Sequence, residues 1–107
     1  MKTIDRNALK QKIDDGEPMT LIEVLPESGF NEFHLPGAIN IPVGSDRFEE
    51  RVQAVADRDE QVVVYCKDSD CDASPKAAQR MEDLGFTNVI DYAAGKEDWR
   101  AADLPTQ

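Results

Sequence analysis

The run Gln61-Val62-Val63-Val64-Tyr65 constrains this chain more than any other stretch, because an apolar, β-branched segment of that length reads as a buried strand. It delivers Cys66. A polar loop, Lys67 to Ala73, comes next, and Ser74-Pro75 then has the form of an N-cap followed by proline at the first helical position. The helix opened there carries Ala77, Met81 and Leu84 on one face, with Ala78 beside them, and Gly85 ends it. A thiol is thus held at a strand's carboxyl end, in a loop whose backbone N–H groups lead into a helix N-terminus. Such a position favours negative charge, so a thiolate or a sulfur anion suits it.

The same alternation runs through the rest of the chain. Thr3 or Asp5 caps a first helix with Ala8, Leu9 and Ile13 on one side, closing near Gly16. Thr20 to Val24 reads as a strand, and Ser28 opens a short helical turn holding Phe30 and Phe33. Ala38 to Ile41 is a short strand fenced by Pro36-Gly37 and Pro42. Ser45 or Asp46 starts a helix with Phe48, Val52 and Val55 at i, i+4 and i+7. Asn88 to Tyr92 forms another strand, Lys96 to Ala102 a last helix carrying Trp99, and Leu104 to Gln107 a tail on the surface. Strands alternating with helices over short connections predict an α/β domain with a mostly parallel sheet. Its site belongs beyond the carboxyl ends of the strands, where Cys66 falls.

At 107 residues the chain is expected to form one domain over residues 1–107. Its start lacks the apolar core of a secretory signal and no stretch approaches a membrane span, so a cytoplasmic location is expected. Two cysteines five positions apart do not make a disulfide scaffold, which leaves chemistry as their use in a reducing compartment. With 22 acidic residues against 12 basic ones, the net charge is −10. Nucleic acid and anionic membranes are repelled by such a surface and are excluded as partners.

Four segments, in order and at fitting spacing, carry a resemblance to the rhodanese-like (sulfurtransferase) domain family, over about residues 3 to 105. Leu21-Ile22-Glu23-Val24 is similar to the family's first core strand, with Glu23 where aspartate is usual and Leu25 where arginine is usual. Phe33 to Pro42 resembles its most recognisable segment, with Phe33 replacing a glycine. Val63-Val64-Tyr65-Cys66 looks like the strand that delivers the active-site cysteine. Ala94 to Trp99, with Leu104-Pro105, resembles the closing motif, with Ala94 in place of a first glycine. The resemblance implies a central, mostly parallel five-stranded sheet flanked by helices. It also implies that Cys66 accepts a sulfane sulfur as a persulfide and passes it to a nucleophile. The partners would be a small sulfur donor and a thiol acceptor, or a protein persulfide, with no cofactor. Persulfide chemistry needs a thiolate, N–H donors around the outer sulfur and access for donor and acceptor. The amides of Lys67, Asp68, Ser69, Asp70, Cys71, Asp72, Ala73 and Ser74 are the expected cradle.

The loop departs from the family pattern in being about two residues longer and lacking the arginine that grips an anionic donor. One lysine and three aspartates sum to −2, which opposes thiosulfate more than a neutral or protein-borne persulfide. The missing arginine also argues against a phosphatase or arsenate reductase, since Arg80 lies two turns into the helix. Cys71 is a candidate resolving thiol if the loop bends far enough, or an ordinary loop residue if it does not. An alternative to sulfur transfer follows: a non-catalytic rhodanese-like module that binds a partner or senses redox state through Cys66 and Cys71.

Asp68, Asp70 and Asp72 alternate like calcium-loop ligands, but Ala73 replaces the turn glycine and Gln79 the bidentate glutamate. Zinc at Cys66 and Cys71 lacks a second ligand pair, so no metal site is expected. His34 is expected to brace the turn before Pro36-Gly37 rather than act as a base. Trp99, Phe30 and Phe33 are expected in core or pocket wall. Glu23 and Asp91 stand at or near strand ends.

Overall fold

Val62 and Val64 face one side of the central strand, Val63 and Tyr65 the other, and none of the four is exposed to solvent. A strand buried on both faces needs a helical layer on each, and that requirement shapes the whole molecule. The computed structural model describes residues 2–107. In chain order the elements are β1 Lys2–Thr3, α1 Arg6–Asp14, β2 Thr20–Glu23, α2 Glu27–Glu32, β3 Ile39–Asn40, α3 Phe48–Val55, β4 Val62–Tyr65, α4 Ala73–Asp83, β5 Val89–Tyr92 and α5 Gly95–Ala101. They form a single α/β domain with a five-stranded sheet of order β1-β5-β4-β2-β3, all pairs parallel.

Period-two alternation divides the core between the two faces. Ile22, Val24, Val62, Val64, Cys66 and Val89 meet Phe48 and Val52 of α3 and Ala77, Ala78 and Met81 of α4. Leu21, Val63, Tyr65, Ile90 and Tyr92 meet Leu9 of α1, Trp99 of α5 and Leu35. Cys66, one residue beyond β4, continues the alternation onto the α3/α4 face, which buries it to 1 % exposure.

Several sequence expectations are corrected. Thr3 does not cap α1 but pairs with Asp91 in β1; the cap is Asp5, whose carboxylate accepts the Ala8 N–H at 2.8 Å. A two-residue edge strand is too short to show periodicity. Ser74 does not cap α4 either. The helix begins at Ala73 with Asp72 at its N-cap and no side-chain cap bond, because the Ser74 hydroxyl is buried and turned toward Cys66. Pro75 is still tolerated, lying in the first turn where N–H groups lack helical acceptors. Ala8 and Val55 are exposed, leaving Leu9 to anchor α1 and Ala56, just past α3, to take the buried place. Phe33 lies beyond α2 as its extended C-cap residue.

The tail is tied down as well as laid on the surface. The Trp99 indole donates to the Pro105 carbonyl at 2.7 Å, and Gln107 exchanges backbone bonds with His34 at 2.8 and 3.0 Å.

Candidate active site

Two elements pin the legs of the loop after β4. On one side the N-terminal turn of α5 donates from the Lys96 N–H to the Cys66 carbonyl, at 3.0 Å, and from the Glu97 N–H to the Lys67 carbonyl, at 2.9 Å. Gly95 allows this approach. Its φ is +77°, and a Cβ there would lie 2.5–2.6 Å from backbone atoms of Lys67 and Asp68. On the other side the loop is continuous with α4, whose Ala77, Ala78 and Met81 are locked into the core.

Between the legs the chain reverses. The Cys71 N–H donates to the Asp68 carbonyl at 3.2 Å, and the Asp70 N–H to the Asp68 carboxylate at 3.1 Å. This Asx-type turn carries Cys71 back over Cys66. The two cysteines are joined as a disulfide, their Cα atoms 6.5 Å apart, within the usual range for such a bond. Cys66 is buried while Cys71 is half-buried, so Cys71 forms the outer side of the bridge.

Of the expected cradle, the Asp70 and Cys71 amides are therefore already engaged inside the loop. The Ser74 hydroxyl, expected only as a helix cap, comes within 3.6 Å of the Cys66 sulfur. Behind Ser74 stands Asp91, paired in register with Val64 and 2 % exposed. Burial pushes the Asp91 carboxyl above its ordinary range, with a hydrogen bond from Ser74 pulling the other way, and its Oδ1 has no hydrogen-bond partner. Asp91 thus reaches the site through Ser74. Glu23 does not: it lies on the opposite face of the sheet.

The loop charges are arranged unequally. Asp72 pairs with Lys76 at 3.0 Å on the exposed start of α4, and that hydrogen bond holds its carboxyl below the ordinary range. Asp68 is half-buried, whereas Lys67, Ser69 and Asp70 are exposed. Arg80 turns away from the loop: its Nε donates to Glu49 at 2.6 Å, its Nη1 to the Val43 carbonyl at 2.7 Å, and its guanidinium covers Phe48. Beside the loop lies a mostly apolar hollow of about 590 Å³, lined by Val24, Leu25, Pro42, Val43 and Ala73 among others. Leu25, Val43, Cys71 and Ala73 all pack against the cluster that contains Cys66.

Sequence reasoning missed Lys96. Its ammonium, 3 % exposed, donates to Glu23 Oε2 at 3.1 Å and to the Gly29 and Phe33 carbonyls at 2.7 and 2.8 Å, with the Phe33 ring 4.5 Å away. It clamps β2, α2 and α5 together beneath the rim. A lysine at a predicted helix start gives no sign of burial; Glu23 inside an apolar strand was the only cue. Burial, then the Glu23 charge, raise the Tyr65 hydroxyl far above its ordinary range. His34 holds the Phe30 carbonyl through Nδ1 at 3.0 Å and stacks on the Phe30 ring, so its geometry is that of a brace. Trp99 is core. Among the described residues no helix is long and apolar enough to cross a membrane.

The model of the rhodanese-like domain matches residues 5–102. The chain is 36% identical over 104 residues to the HTH-type transcriptional regulator Rv0324 of Mycobacterium tuberculosis, covering 95% of this chain and 43% of that protein. It is 31% identical over 96 residues to the putative sulfur carrier protein YrkF of Bacillus subtilis, covering 90% and 49%. The chain thus spans less than half the length of each of these curated relatives. Among solved structures, the thiosulfate sulfurtransferase from Pseudomonas aeruginosa superposes with a TM-score of 0.84 at 29% identity, over 99% of this chain and 20% of that one.

Proposed function

The chain belongs to the rhodanese-like domain family, and on that premise we propose that it carries sulfane sulfur as a persulfide on Cys66 and passes it to a thiol or other nucleophile. The observation that carries this reading is the placement of Cys66: beyond a doubly buried strand, in a pinned loop entering α4, with the Ser74 hydroxyl 3.6 Å from its sulfur. With Cys66 reduced, that hydroxyl would turn its one proton from Asp91 to the thiolate, and a charge-assisted bond of this kind favours the nucleophilic form. A relative named as a putative sulfur carrier and a structural neighbour named as a thiosulfate sulfurtransferase support the same chemistry.

In the first step the Cys66 thiolate attacks the outer sulfur of a donor persulfide, and the donor leaves as its thiolate. In the second, an acceptor thiolate attacks the outer sulfur on Cys66, and Cys66 leaves as a thiolate again. The N–H groups of the loop that remain free of internal bonds would face the transferred sulfur. An organic or protein-borne persulfide fits better than thiosulfate, because the hollow beside the loop is apolar and the loop itself sums to −2. No group of Lys67–Ser74 supplies the fork of donors that a sulfonate would need, and Arg80 is engaged elsewhere.

Intact-mass spectrometry of reduced protein exposed to a low-molecular-weight persulfide tests the reading. One added sulfur, about 32 Da, is expected, and Cys66→Ser should abolish it. Equal uptake by Cys66→Ser would show that another group is the nucleophile.

A further inference from the structure

We infer that Cys71 gives this site a second activity, reduction of the persulfide on Cys66 to free sulfide with closure of the Cys66–Cys71 disulfide. The inference rests on the carrier reading and adds a fate for the bound sulfur. The turn closed by Asp68 places Cys71 on Cys66 itself, in disulfide connection across a 6.5 Å Cα separation. In a persulfide the Cys66 Sγ is the inner sulfur. A thiol that reaches Sγ displaces the outer sulfur; one that reached only the outer sulfur would inherit it. The loop is built for the first outcome.

The step balances as the Cys66 persulfide plus the Cys71 thiol giving the Cys66–Cys71 disulfide plus hydrogen sulfide. The Cys71 thiolate forms a bond to Cys66 Sγ, the bond from Sγ to the outer sulfur breaks, and the outer sulfur departs as hydrosulfide. The sulfane sulfur gains two electrons, and the two cysteines supply them.

In the closed product Cys66 is 1 % exposed, so no donor reaches it, and sulfur uptake stops until a dithiol reductant reopens the bridge. That dithiol attacks Cys71, the half-buried outer sulfur. Cys66 is then the leaving thiolate, received by the Ser74 hydroxyl at 3.6 Å. One round consumes a persulfide and a dithiol and yields sulfide, a thiol and a disulfide. The extended acidic loop has the reach for this closure because its turn is made by its own Asp68.

The test uses the full chain, reduced with dithiothreitol, desalted, and mixed with glutathione persulfide. Wild type should release about one sulfide per chain and end about two mass units below the reduced protein, with peptide mapping placing the bridge between Cys66 and Cys71. Added dithiothreitol should make the release catalytic. Cys71→Ser and Cys71→Ala should instead hold the added sulfur, about 32 Da, with sulfide release down by at least tenfold. Wild type that keeps the added sulfur while Cys71 stays alkylatable overturns this inference and leaves the carrier reading standing. Failure of both Cys71 variants to take up sulfur, though folded by circular dichroism, overturns the carrier reading itself.

Discussion

Ser74 Oγ and Cys66 Sγ lie 3.6 Å apart, with the Ser74 side chain buried in the first turn of α4 between the sulfur and Asp91. The contact joins the end of β4 to the start of α4 and explains why a serine in a capping position does not cap. Once its single proton turns from Asp91 to the sulfur, the hydroxyl is also a donor for the thiolate.

Ser74→Ala should therefore raise the Cys66 thiol pKa and slow its alkylation near neutral pH. A hydrogen bond to a charged group is worth roughly 1.5–3 kcal/mol, so the reactive thiolate fraction near neutral pH should fall by about tenfold or more. The pH profile of iodoacetamide reaction with reduced Cys71→Ser protein, with and without Ser74→Ala, measures it. Superimposable profiles would mean that the hydroxyl does not stabilise the thiolate.

The loop aspartates should not act equally on an anionic donor. Asp72 is neutralised locally by Lys76, while among the described residues neither Asp68 nor Asp70 has a cationic partner. Asp68→Asn/Asp70→Asn should lower the apparent KM for thiosulfate by about threefold to tenfold at low salt, and the gain should shrink as salt screens it. Asp72→Asn should do markedly less. A larger effect from Asp72→Asn, or a gain insensitive to salt, would show that the carboxylates act through loop shape.

Much of this architecture is legible in the sequence for a physical reason: a sheet covered on both sides writes nearly continuous apolar runs, as Val62–Tyr65 does and as Leu21–Val24 does apart from Glu23. Cys66 is legible because a strand end and a helix start bracket it. What stays hidden depends on distant partners. β1 is two residues whose strand character comes from pairing with β5. Lys96 reads as an ordinary helix-start lysine until Glu23, Gly29 and Phe33 converge on it from more than sixty positions away. Ser74 fits a cap by local pattern, and only the position of Asp91 on β5 shows why its hydroxyl turns inward.

The Lys96–Glu23 pair should be costly to break from either side, and unequally so. Lys96→Met leaves the Glu23 carboxylate buried without its cation, a loss expected at about 3–5 kcal/mol. Glu23→Gln should cost less, because the ammonium keeps the Gly29 and Phe33 carbonyls. Urea unfolding midpoints of the two variants give the order; equal or reversed costs would contradict the clamp.

Asp91 should make stability fall as pH rises. Burial keeps its carboxyl protonated above the ordinary carboxylate range, so between the unfolded pKa, about 3.9, and the raised folded value the native state binds more protons than the unfolded chain. Stability attributable to this group is present below the unfolded pKa and is lost through that window. Asp91→Asn cannot ionise, so its stability relative to wild type should climb as pH rises from about 4 and level once the raised folded pKa is passed. Thermal midpoints across that range check it, and a difference that stays flat would mean that Asp91 titrates normally.

Gly95→Ala tests how far the site depends on the approach of α5 to the loop. The residue sits at φ +77°, a region that costs a non-glycine residue about 1–3 kcal/mol. Its new Cβ would also fall 2.5–2.6 Å from the Lys67 carbonyl and the Asp68 nitrogen, backbone atoms that cannot step aside as a side-chain tip would. The loop or the helix start must move, and the Lys96 and Glu97 N–H bonds to the Cys66 and Lys67 carbonyls go with it. Stability should therefore drop beyond the backbone term alone. At a temperature where the variant remains folded, sulfur uptake at Cys66 should also slow by tenfold or more, because a misplacement of about 1 Å is enough for that. A variant that loses stability but takes up sulfur at the wild-type rate would show that the α5 contact supports the fold without setting the position of the thiol.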